Sequence, residues 1–530
     1  MKFKKFKAYL IAVLHVFSIF SLQNFKAVNA EDNMLKENKI SNSVYRGKNL
    51  SEGYNLILNL LSSSSAKDIP TISCDFPFNE VDAMILATVS YLPMCIVPSI
   101  DSSKPHDGIT LKQWYEGLSS IINEKQDMTN LYLHDEDKHN TEFYIKNCNS
   151  ENRYLERRLK LLKCLTDCPR YKEITISDFS GDYIDIKENE PKQFAAVTFT
   201  LNNGNKVVTY RGTDSTLSGW KEDIDLSWKE EIPSQNDAKN YLVKISKLYP
   251  DSLLYIAGHS KGGNLATYAS VKAAFNRPKI IKDIINVFNF DGPGLRIDII
   301  NSLPEVYEEM ENKLLTFVPQ SSVIGRIMNE SHDDNFKCIN SSSSGISQHD
   351  TFSWEVNEFY FKKSEPKFNT SDLAPESDMI DEAVDYILKI ADKNSLKSFS
   401  DSLFEILQEN NISFENKEDI ISIVKRLSYR YSSKFKEIFN LIYSIKDEDF
   451  SELEGFKKVI CIVIKSLISA YWDRYELVNR SLNIPEDVTL TLNELDNSKF
   501  SVENWIKVLA TIIGKVFDIN SVVNLVWNML

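Results

Sequence analysis

Hydrophobic and polar residues in the middle of this chain follow a pattern typical of strands that alternate with helices. Short runs rich in Val, Ile, Phe and Tyr are bounded by turn residues: "EITISDF", "FAAVTFTLNN", "KVVTYRGTD", "LLYIAGHS", "IINVFNFDGPG" and "KLLTFVPQS". Helix-like segments separate the last four runs. This alternation predicts an α/β fold, with a mostly parallel sheet and helices on both faces. Asn203 and Gly204 predict a hairpin turn between the second and third runs, which are therefore antiparallel.

The periodicity changes on both sides of this region. Upstream, "NEVDAMILATVSYL" keeps a broad apolar face and predicts a helix. Downstream, in residues 376–530, apolar residues recur every three and four positions, as in "GFKKVICIVIKSLISAYWDRY", and predict an all-α domain. We favour helices that pack on each other. Transient contact with a membrane or lipid surface is the alternative.

The first thirty residues have the layout of a secretory signal. Lysines at the start are followed by an apolar stretch from Tyr9 to Leu22 and by small residues that end at Ala30. We therefore expect a protein that is secreted or attached to the cell surface, and an uncleaved membrane anchor is the alternative. Residues 31–70 are polar and serine-rich and predict a linker or arm, which leaves residues 71–365 as the α/β domain.

Charge and cysteine usage narrow the function classes. The net charge is −14, and loss of a signal with five lysines and no acid makes it −19, since −14 − 5 = −19. So acidic a chain is not expected to bind nucleic acid non-specifically. The seven cysteines are odd in number and scattered, which is not a disulfide framework. No pattern in the chain indicates an oligomeric state.

No metal or cofactor is expected. "HDEDKHN" holds four residues of metal-ligating type, namely His134, Asp135, Asp137 and His139. We favour an acidic solvated loop over a metal site here.

A serine between two glycines is the strongest candidate for chemistry. Gly258, Ser260 and Gly262 form a G-x-S-x-G pattern, after the strand-like run "SLLYIA" and before the helix-like run "NLATYASVKAAF". A nucleophile elbow needs this order, because the serine lies on a sharp strand-to-helix turn that exposes its hydroxyl at the sheet edge. The pentapeptide alone is weak evidence, and its flanks strengthen it.

A nucleophilic serine needs a base and an acid, and hydrolases of this type carry them later in the chain in the order acid, then histidine. Two histidines follow Ser260, and we favour His349 in "QHDTFSW" over His332, which is flanked by acids. Asp291 ends a strand in "VFNFDGPG" and is the candidate acid. A simple turn or helix-capping aspartate is the alternative.

The oxyanion hole is expected from two places. The amide after the nucleophile belongs to Lys261, and the loop "RGTD" after an earlier strand offers Thr213 beside Gly212. The following segment, "STLSGWKEDIDLSW", carries Leu217 and Trp220 among charges. These two side chains are candidates for a lid or a substrate contact, and anchoring of the loop on the sheet is the alternative.

These motifs resemble those of the class 3 lipases. More closely, residues 74–356, with "YRGTDSTLSGWKED", "AGHSKGGNLATYAS", "FNFDGPG", "FVPQSSVIG" and "QHDTFSW", are similar to a bacterial family of lipase-like α/β-hydrolases carried as a domain of unknown function. The resemblance implies a hydrolase fold, Ser260 as nucleophile and an oxyanion role for Thr213. It suggests a serine hydrolase that cleaves acyl esters, with an ester or lipid as substrate.

Two residues depart from the class 3 pattern. Those lipases carry the acid one strand later, where this chain has "FVPQSS" and no acid, so Asp291 follows an arrangement similar to that of pancreatic-type lipases. Lys261 replaces leucine, and either favours an anionic lipid or pairs with Asp214 or Glu222. A phospholipase, thioesterase or amidase with the same three residues, and a non-catalytic lipase-like binding module, stay open at this point.

Overall fold

The computed structural model describes residues 56–94, 97, 108–124, 153–185, 192–213, 217–328, 335–343, 345–357 and 367–374, with a few single positions between 377 and 401. Most of these residues belong to one compact unit that ends at Ala374. The predicted signal, the metal-type loop at 134–139, the histidine at 332 and nearly all of the predicted helical domain lie outside the described residues.

One eight-stranded sheet organises the described part of the chain, with the strands side by side in chain order. The strands are β1 (Ile109–Thr110), β2 (Thr175–Asp185), β3 (Lys192–Thr200), β4 (Lys206–Tyr210), β5 (Leu254–His259), β6 (Ile284–Phe290), β7 (Leu314–Pro319) and β8 (Phe336–Ile339). Strands β1 to β4 pair antiparallel, and β4 to β8 pair parallel. The predicted hairpin between β3 and β4 is confirmed, and Gly204 in its turn has a φ of 84°.

Helices cover both faces of the sheet. They are α1 (Leu56–Ser62), α2 (Glu80–Val89), α3 (Leu111–Glu124), α4 (Arg153–Asp167), α5 (Leu217–Asp225), α6 (Pro233–Leu248), α7 (Lys261–Asn276), α8 (Ile280–Asp283), α9 (Ile297–Ser302) and α10 (Pro304–Glu311). Strands linked by helices in a mostly parallel sheet that is covered on both sides confirm the predicted α/β-hydrolase-type sheet. The all-α domain of the same prediction lies almost wholly outside the described residues.

Strand alternation explains why there are two cores. In β5, Tyr255 and Ala257 pack with α1 to α4, whereas Leu254 and Ile256 pack with α6 and α7 on the opposite face. Successive side chains of a strand point to opposite faces, so a continuous apolar run buries both sides of a central strand. Strand β5 is thereby fixed in the middle of the domain.

Helix α2 has its position fixed by a buried charge pair. Asn79 caps its first turn. Asp82 accepts a hydrogen bond from Nε of Arg170 at 2.7 Å and one from the hydroxyl of Tyr171 at 2.7 Å. Arg170 also donates to the carbonyl of Pro77 at 2.9 Å. The carboxylate and the guanidinium are both fully buried, and a paired, hydrogen-bonded charge avoids the large cost of an isolated one.

The sequence predicts a polar linker over residues 31–70, but the structure shows a helix and buried residues in the second half of this stretch. Residues 56–62 form α1, whose Ile57 and Leu61 are buried in the same core as Ala66 and Ile69. The serines that suggested a linker, residues 62–65, lie at the end of this helix and directly after it, and the apolar residues that follow them are buried in the core. No described helix is long and apolar enough to span a bilayer.

Candidate active site

Ser260 lies on the sharp turn between β5 and α7. Its φ of 59° and ψ of −135° are unusual for a residue with a side chain. The flanking glycines are needed because there is no room for a side chain at either position. A Cβ on Gly258 would collide with the backbone of Gly262, and a Cβ on Gly262 would collide with the carbonyl oxygen of Tyr210. The predicted strand, turn and helix of an elbow are therefore all present.

Asp291 and His349 meet beside this turn. Nδ1 of His349 lies 2.6 Å from Oδ2 of Asp291, and both side chains are buried. Nε2 of His349 and Oγ of Ser260 are buried as well, and neither has a hydrogen-bond partner among the described residues. The ring of His349 lies 4.4 Å, between centroids, from the ring of His259, the residue that precedes Ser260. Buried polar atoms without a partner are costly and rare, so two of them in one region indicate a functional site. The structure thus brings the three predicted residues to one place.

Asp291 directly follows β6 and has a φ of 48°. Its backbone amide donates to Phe317 on β7 at 2.8 Å. Oδ1 accepts the hydroxyl of Ser322 at 2.5 Å and the amide of Gly325 at 3.0 Å. One carboxylate oxygen is therefore held by two donors after β7, and the other is left for His349. Ser322 belongs to the "FVPQSS" segment, where the class 3 pattern would have its acid.

Two ring donors fix the backbone on either side of the His349 side chain. Nε1 of Trp354 donates to the carbonyl of Gln348 at 2.8 Å, and Nε2 of His259 lies 2.8 Å from the carbonyl oxygen of His349. The side chain of Gln348 accepts the amide of Ser321 after β7 at 2.8 Å. The loop that presents His349 is tied to both the elbow and the sheet.

His259 is neutral and has a defined tautomer. A carbonyl oxygen only accepts, so Nε2 carries the proton donated to His349, and Nδ1 accepts from the hydroxyl of Tyr91 at 3.0 Å. Burial, and the repulsion that His349 would exert on a second positive charge when it is protonated, hold the pKa of His259 well below its ordinary value of 6.5. This histidine therefore acts as a neutral donor to the loop of the neighbouring histidine.

Helix α4 supports the same loop through charge. Nη2 of Arg157 lies 2.6 Å from Oδ2 of Asp350, and Oδ1 of Asp350 accepts the amide of Phe352 at 3.2 Å. Burial alone would raise the pKa of Asp350, but the charges of Arg157 and Arg158 outweigh it and lower that pKa below its ordinary value. Asp350 is thus an anion at neutral pH and a structural one, whereas Asp291 faces the histidine.

The predicted oxyanion loop lies against Ser260. A Cβ on Gly212 would come within 3.0 Å of the Cβ of Ser260 and would collide with Tyr91. Oγ1 of Thr213 donates to Oδ2 of Asp223 at 2.6 Å, so this hydroxyl proton is directed at a carboxylate. The amide of Thr213 is the group of that residue left to face an oxyanion.

Lys261 points into the protein. Its ammonium lies 2.8 Å from Oε2 of Glu222, and both side chains are fully buried. Of the alternatives raised by the sequence, pairing with Glu222 is observed, and the cation is neutralised inside the fold. The side chains of the two lid candidates, Leu217 and Trp220, lie outside the described residues, although both backbones belong to α5.

Comparisons with known proteins give one family model and several solved lipases. Residues 165–405, less than half of the 530-residue chain, match the family model described as Mbeg1-like. No curated protein matches the chain. Among solved structures, M37 lipase is 14% identical with a TM-score of 0.25, and the match covers 34% of this chain and 64% of the lipase, under two thirds of its length.

Two fungal structures are similar to the same degree. Lipase II from Rhizopus niveus is 13% identical with a TM-score of 0.24, over 36% of this chain and 72% of the lipase. The lipase from Rhizopus microsporus var. chinensis is 13% identical with a TM-score of 0.24, over 48% of this chain and 82% of the lipase. At such identities and TM-scores the likeness carries no functional assignment.

Several supporting residues were not predicted from sequence. Ser322 and Gly325 hold Asp291, and Gln193 contacts both Lys261 and the carbonyl of Gly212. The motif "FVPQSSVIG" contributes to the family resemblance and lacks an acid, but it predicts no role for its serines or glycine, and nothing in "KQFAAVTF" distinguishes Gln193 from an ordinary strand residue. Such roles depend on long-range packing, which periodicity does not report.

Proposed function

We propose that the protein is a serine hydrolase of acyl esters, with Ser260 as nucleophile, His349 as base and Asp291 as the acid that orients it. One observation carries the proposal: His349 is hydrogen-bonded to Asp291 on one side, and on the other its Nε2 is buried without a partner, as is Oγ of Ser260. An acceptor nitrogen and an unpaired hydroxyl at one elbow are the two groups that proton transfer requires.

The chemistry proceeds in two halves. His349 takes the proton of Ser260 as Oγ attacks the ester carbonyl, and then gives it to the leaving alcohol as the acyl-enzyme forms. Water repeats the sequence and releases the acid. Asp291 keeps the proton of the imidazole on Nδ1 and stabilises the imidazolium that forms. The backbone amides of Lys261 and Thr213 bind the oxyanion, so no side-chain donor from this loop is required.

The substrate is expected to be an ester whose reacting end is uncharged. The cation nearest the nucleophile in sequence, Lys261, is neutralised by Glu222 and is fully buried, so it offers no charge to an anionic headgroup. This favours a simple esterase or lipase over an enzyme that selects phosphorylated lipids through this lysine.

Hydrolysis of p-nitrophenyl esters of graded chain length tests the proposal. We expect turnover by the wild type and a loss of at least about 10³-fold in Ser260→Ala, because the residual rate then comes from binding and the oxyanion hole alone. Ser270→Ala is the matched control, since Ser270 lies on α7, the helix that directly follows Ser260, is fully buried and donates to the carbonyl of Ala266 at 2.7 Å.

Labelling with a fluorophosphonate gives a second readout. The probe should modify the wild type and Ser270→Ala at Ser260, and should leave Ser260→Ala unlabelled. Equal ester turnover by the wild type and Ser260→Ala would refute the assignment of the nucleophile. A wild type that neither hydrolyses the ester series nor reacts with the probe would refute the hydrolase itself.

A further inference from the structure

A buried polar network surrounds the side chain of Lys261. Its ammonium contacts Oε2 of Glu222 at 2.8 Å, the carbonyl oxygen of Gln193 at 3.0 Å and Oε1 of Gln193 at 3.0 Å. An ammonium has three protons, so all three are used. Glu222 in turn accepts the amides of Gln193 at 3.0 Å and Ser234 at 2.8 Å. The network joins α7, β3, α5 and the start of α6.

This network ends on the predicted oxyanion loop. Nε2 of Gln193 donates to the carbonyl oxygen of Gly212 at 3.3 Å. That oxygen and the amide hydrogen of Thr213 belong to the same peptide group, and no peptide in the described chain is cis. In a planar trans peptide the C=O and N–H point in opposite directions. A bond that fixes the carbonyl of Gly212 therefore also fixes the direction of the Thr213 amide.

We propose that the Lys261 side chain positions the oxyanion hole: through Gln193 it orients the Gly212–Thr213 peptide, while its own backbone amide supplies the other donor. One residue would then set the relative direction of both donors. Lys261 is a positioning residue in this respect. The inference rests on the proposed function, because an oxyanion hole matters only to a protein that stabilises one.

Charge is well suited to this task at a buried position. Gln193 is held by its side-chain oxygen, so the amide nitrogen of the same group must face Gly212, and a cation specifies that rotamer where leucine would not. Glu222 balances the charge of Lys261, so the ion pair orients the side chain of Gln193 without adding a net charge to the site. A buried ion pair of this kind adds little net stability over an apolar pair, which is consistent with a role in geometry.

The experiment compares the wild type with two variants in one steady-state assay. Lys261→Met removes the cation, and Lys261→Met with Glu222→Gln also removes the carboxylate charge that the first change leaves unpaired. The new NH2 group of the glutamine faces one of the two backbone amides that Glu222 accepts, so circular dichroism checks the fold of both variants. Lys221→Met is the matched control. Lys221 forms a buried pair with Asp225 at 2.7 Å on α5, the helix that also carries Glu222.

Two readouts separate positioning from general stability. We expect kcat for p-nitrophenyl esters to fall about 10- to 100-fold in both Lys261 variants, with KM unchanged, because loss of one whole oxyanion donor costs about 10²- to 10³-fold. An alkyl trifluoromethyl ketone, which forms an oxyanion on the serine, should bind weaker by a similar factor. The corresponding methyl ketone should bind all four proteins alike, and Lys221→Met should match the wild type in kcat.

The outcomes are distinguishable. A folded double variant with wild-type kcat and wild-type affinity for the trifluoromethyl ketone would overturn the positioning role and leave the proposed function intact. An equal loss of kcat in Lys221→Met would also overturn it, since the loss of any buried ion pair of α5 would then lower kcat to the same extent. A wild type that neither turns over esters nor binds the trifluoromethyl ketone would overturn the proposed function and this inference with it.

Discussion

The substitution Asp291→Asn gives the sharpest test of how His349 is held. Oδ1 of Asp291 accepts from Ser322 and from the amide of Gly325, at 2.5 and 3.0 Å. The Gly325 amide can only donate, so an asparagine must place its oxygen on that side and its NH2 group toward His349. Nδ1 of His349 would then have to accept, which moves the ring proton to Nε2.

The wrong tautomer removes the base. With its proton on Nε2, the imidazole of His349 cannot accept the proton of Ser260, and the carboxylate charge that stabilises the imidazolium is lost as well. We expect kcat to fall by about 10³- to 10⁴-fold, which is about 4 to 5.5 kcal/mol of transition-state stabilisation at 1.36 kcal/mol per tenfold. The fold should change little, because asparagine has nearly the same shape and keeps both bonds to its oxygen.

The assay is steady-state hydrolysis of the best p-nitrophenyl ester at pH 8, with circular dichroism to check the fold. Asp298→Asn is the matched control, since Asp298 follows the same strand, is half exposed and pairs with Arg296 rather than with a histidine. We expect the control to stay within about twofold of the wild type, as is usual for a surface ion pair. A folded Asp291→Asn protein that keeps more than a tenth of the wild-type kcat would show that another group orients His349.

Two further predictions concern the elbow. Below pH 6.5, the ordinary pKa of a histidine, His259 is protonated in the unfolded chain but stays neutral in the folded protein, because its folded pKa is lower. The free energy of unfolding should therefore fall by about 1.4 kcal/mol for each pH unit below 6.5, until the pH reaches the folded pKa. His259→Phe should lose that share of the slope in urea unfolding, and an unchanged slope would contradict a neutral His259. Gly262→Ala should lower the unfolding free energy by about 2 kcal/mol or more, because its Cβ meets the backbone of Tyr210; the open turn residue Gly204, changed to Asn, should cost far less, and equal costs would argue against the close approach.

Periodicity predicted the centre of the domain well. All six predicted strands are present, because a continuous run of Val, Ile and Phe between turn residues has few other ways to bury both of its faces. The two strands that were not predicted are β1, with two residues, and β8, with four. Edge strands this short bury little apolar surface, so they leave almost no pattern in the sequence.

The candidate site was predictable to a different depth at each residue. Ser260 has a local signal, since its glycines are required by contacts within a few residues, while Asp291 and His349 were chosen by their order and by the turns beside them. Ser322 and Gln193 had no such signal. They act through hydrogen bonds to residues 31 and 19 positions away, and only the sheet brings those partners together.

Backbone strain links the predicted nucleophile and acid independently of any motif. Among the described residues other than glycine, φ is positive at Ser260, Asp291 and Met328. Such conformations cost about 1 to 3 kcal/mol each and persist where the surroundings enforce them.

Ser260 follows β5 and Asp291 follows β6, and their amides donate to Phe290 and Phe317 of the next strands at 3.0 and 2.8 Å. Each strand thus continues its ladder by one bond and then turns its last side chain out of the sheet. A chain that needed only a stable sheet would gain nothing from two adjacent strained turns, whereas the proposed hydrolase needs both side chains at one edge of the sheet.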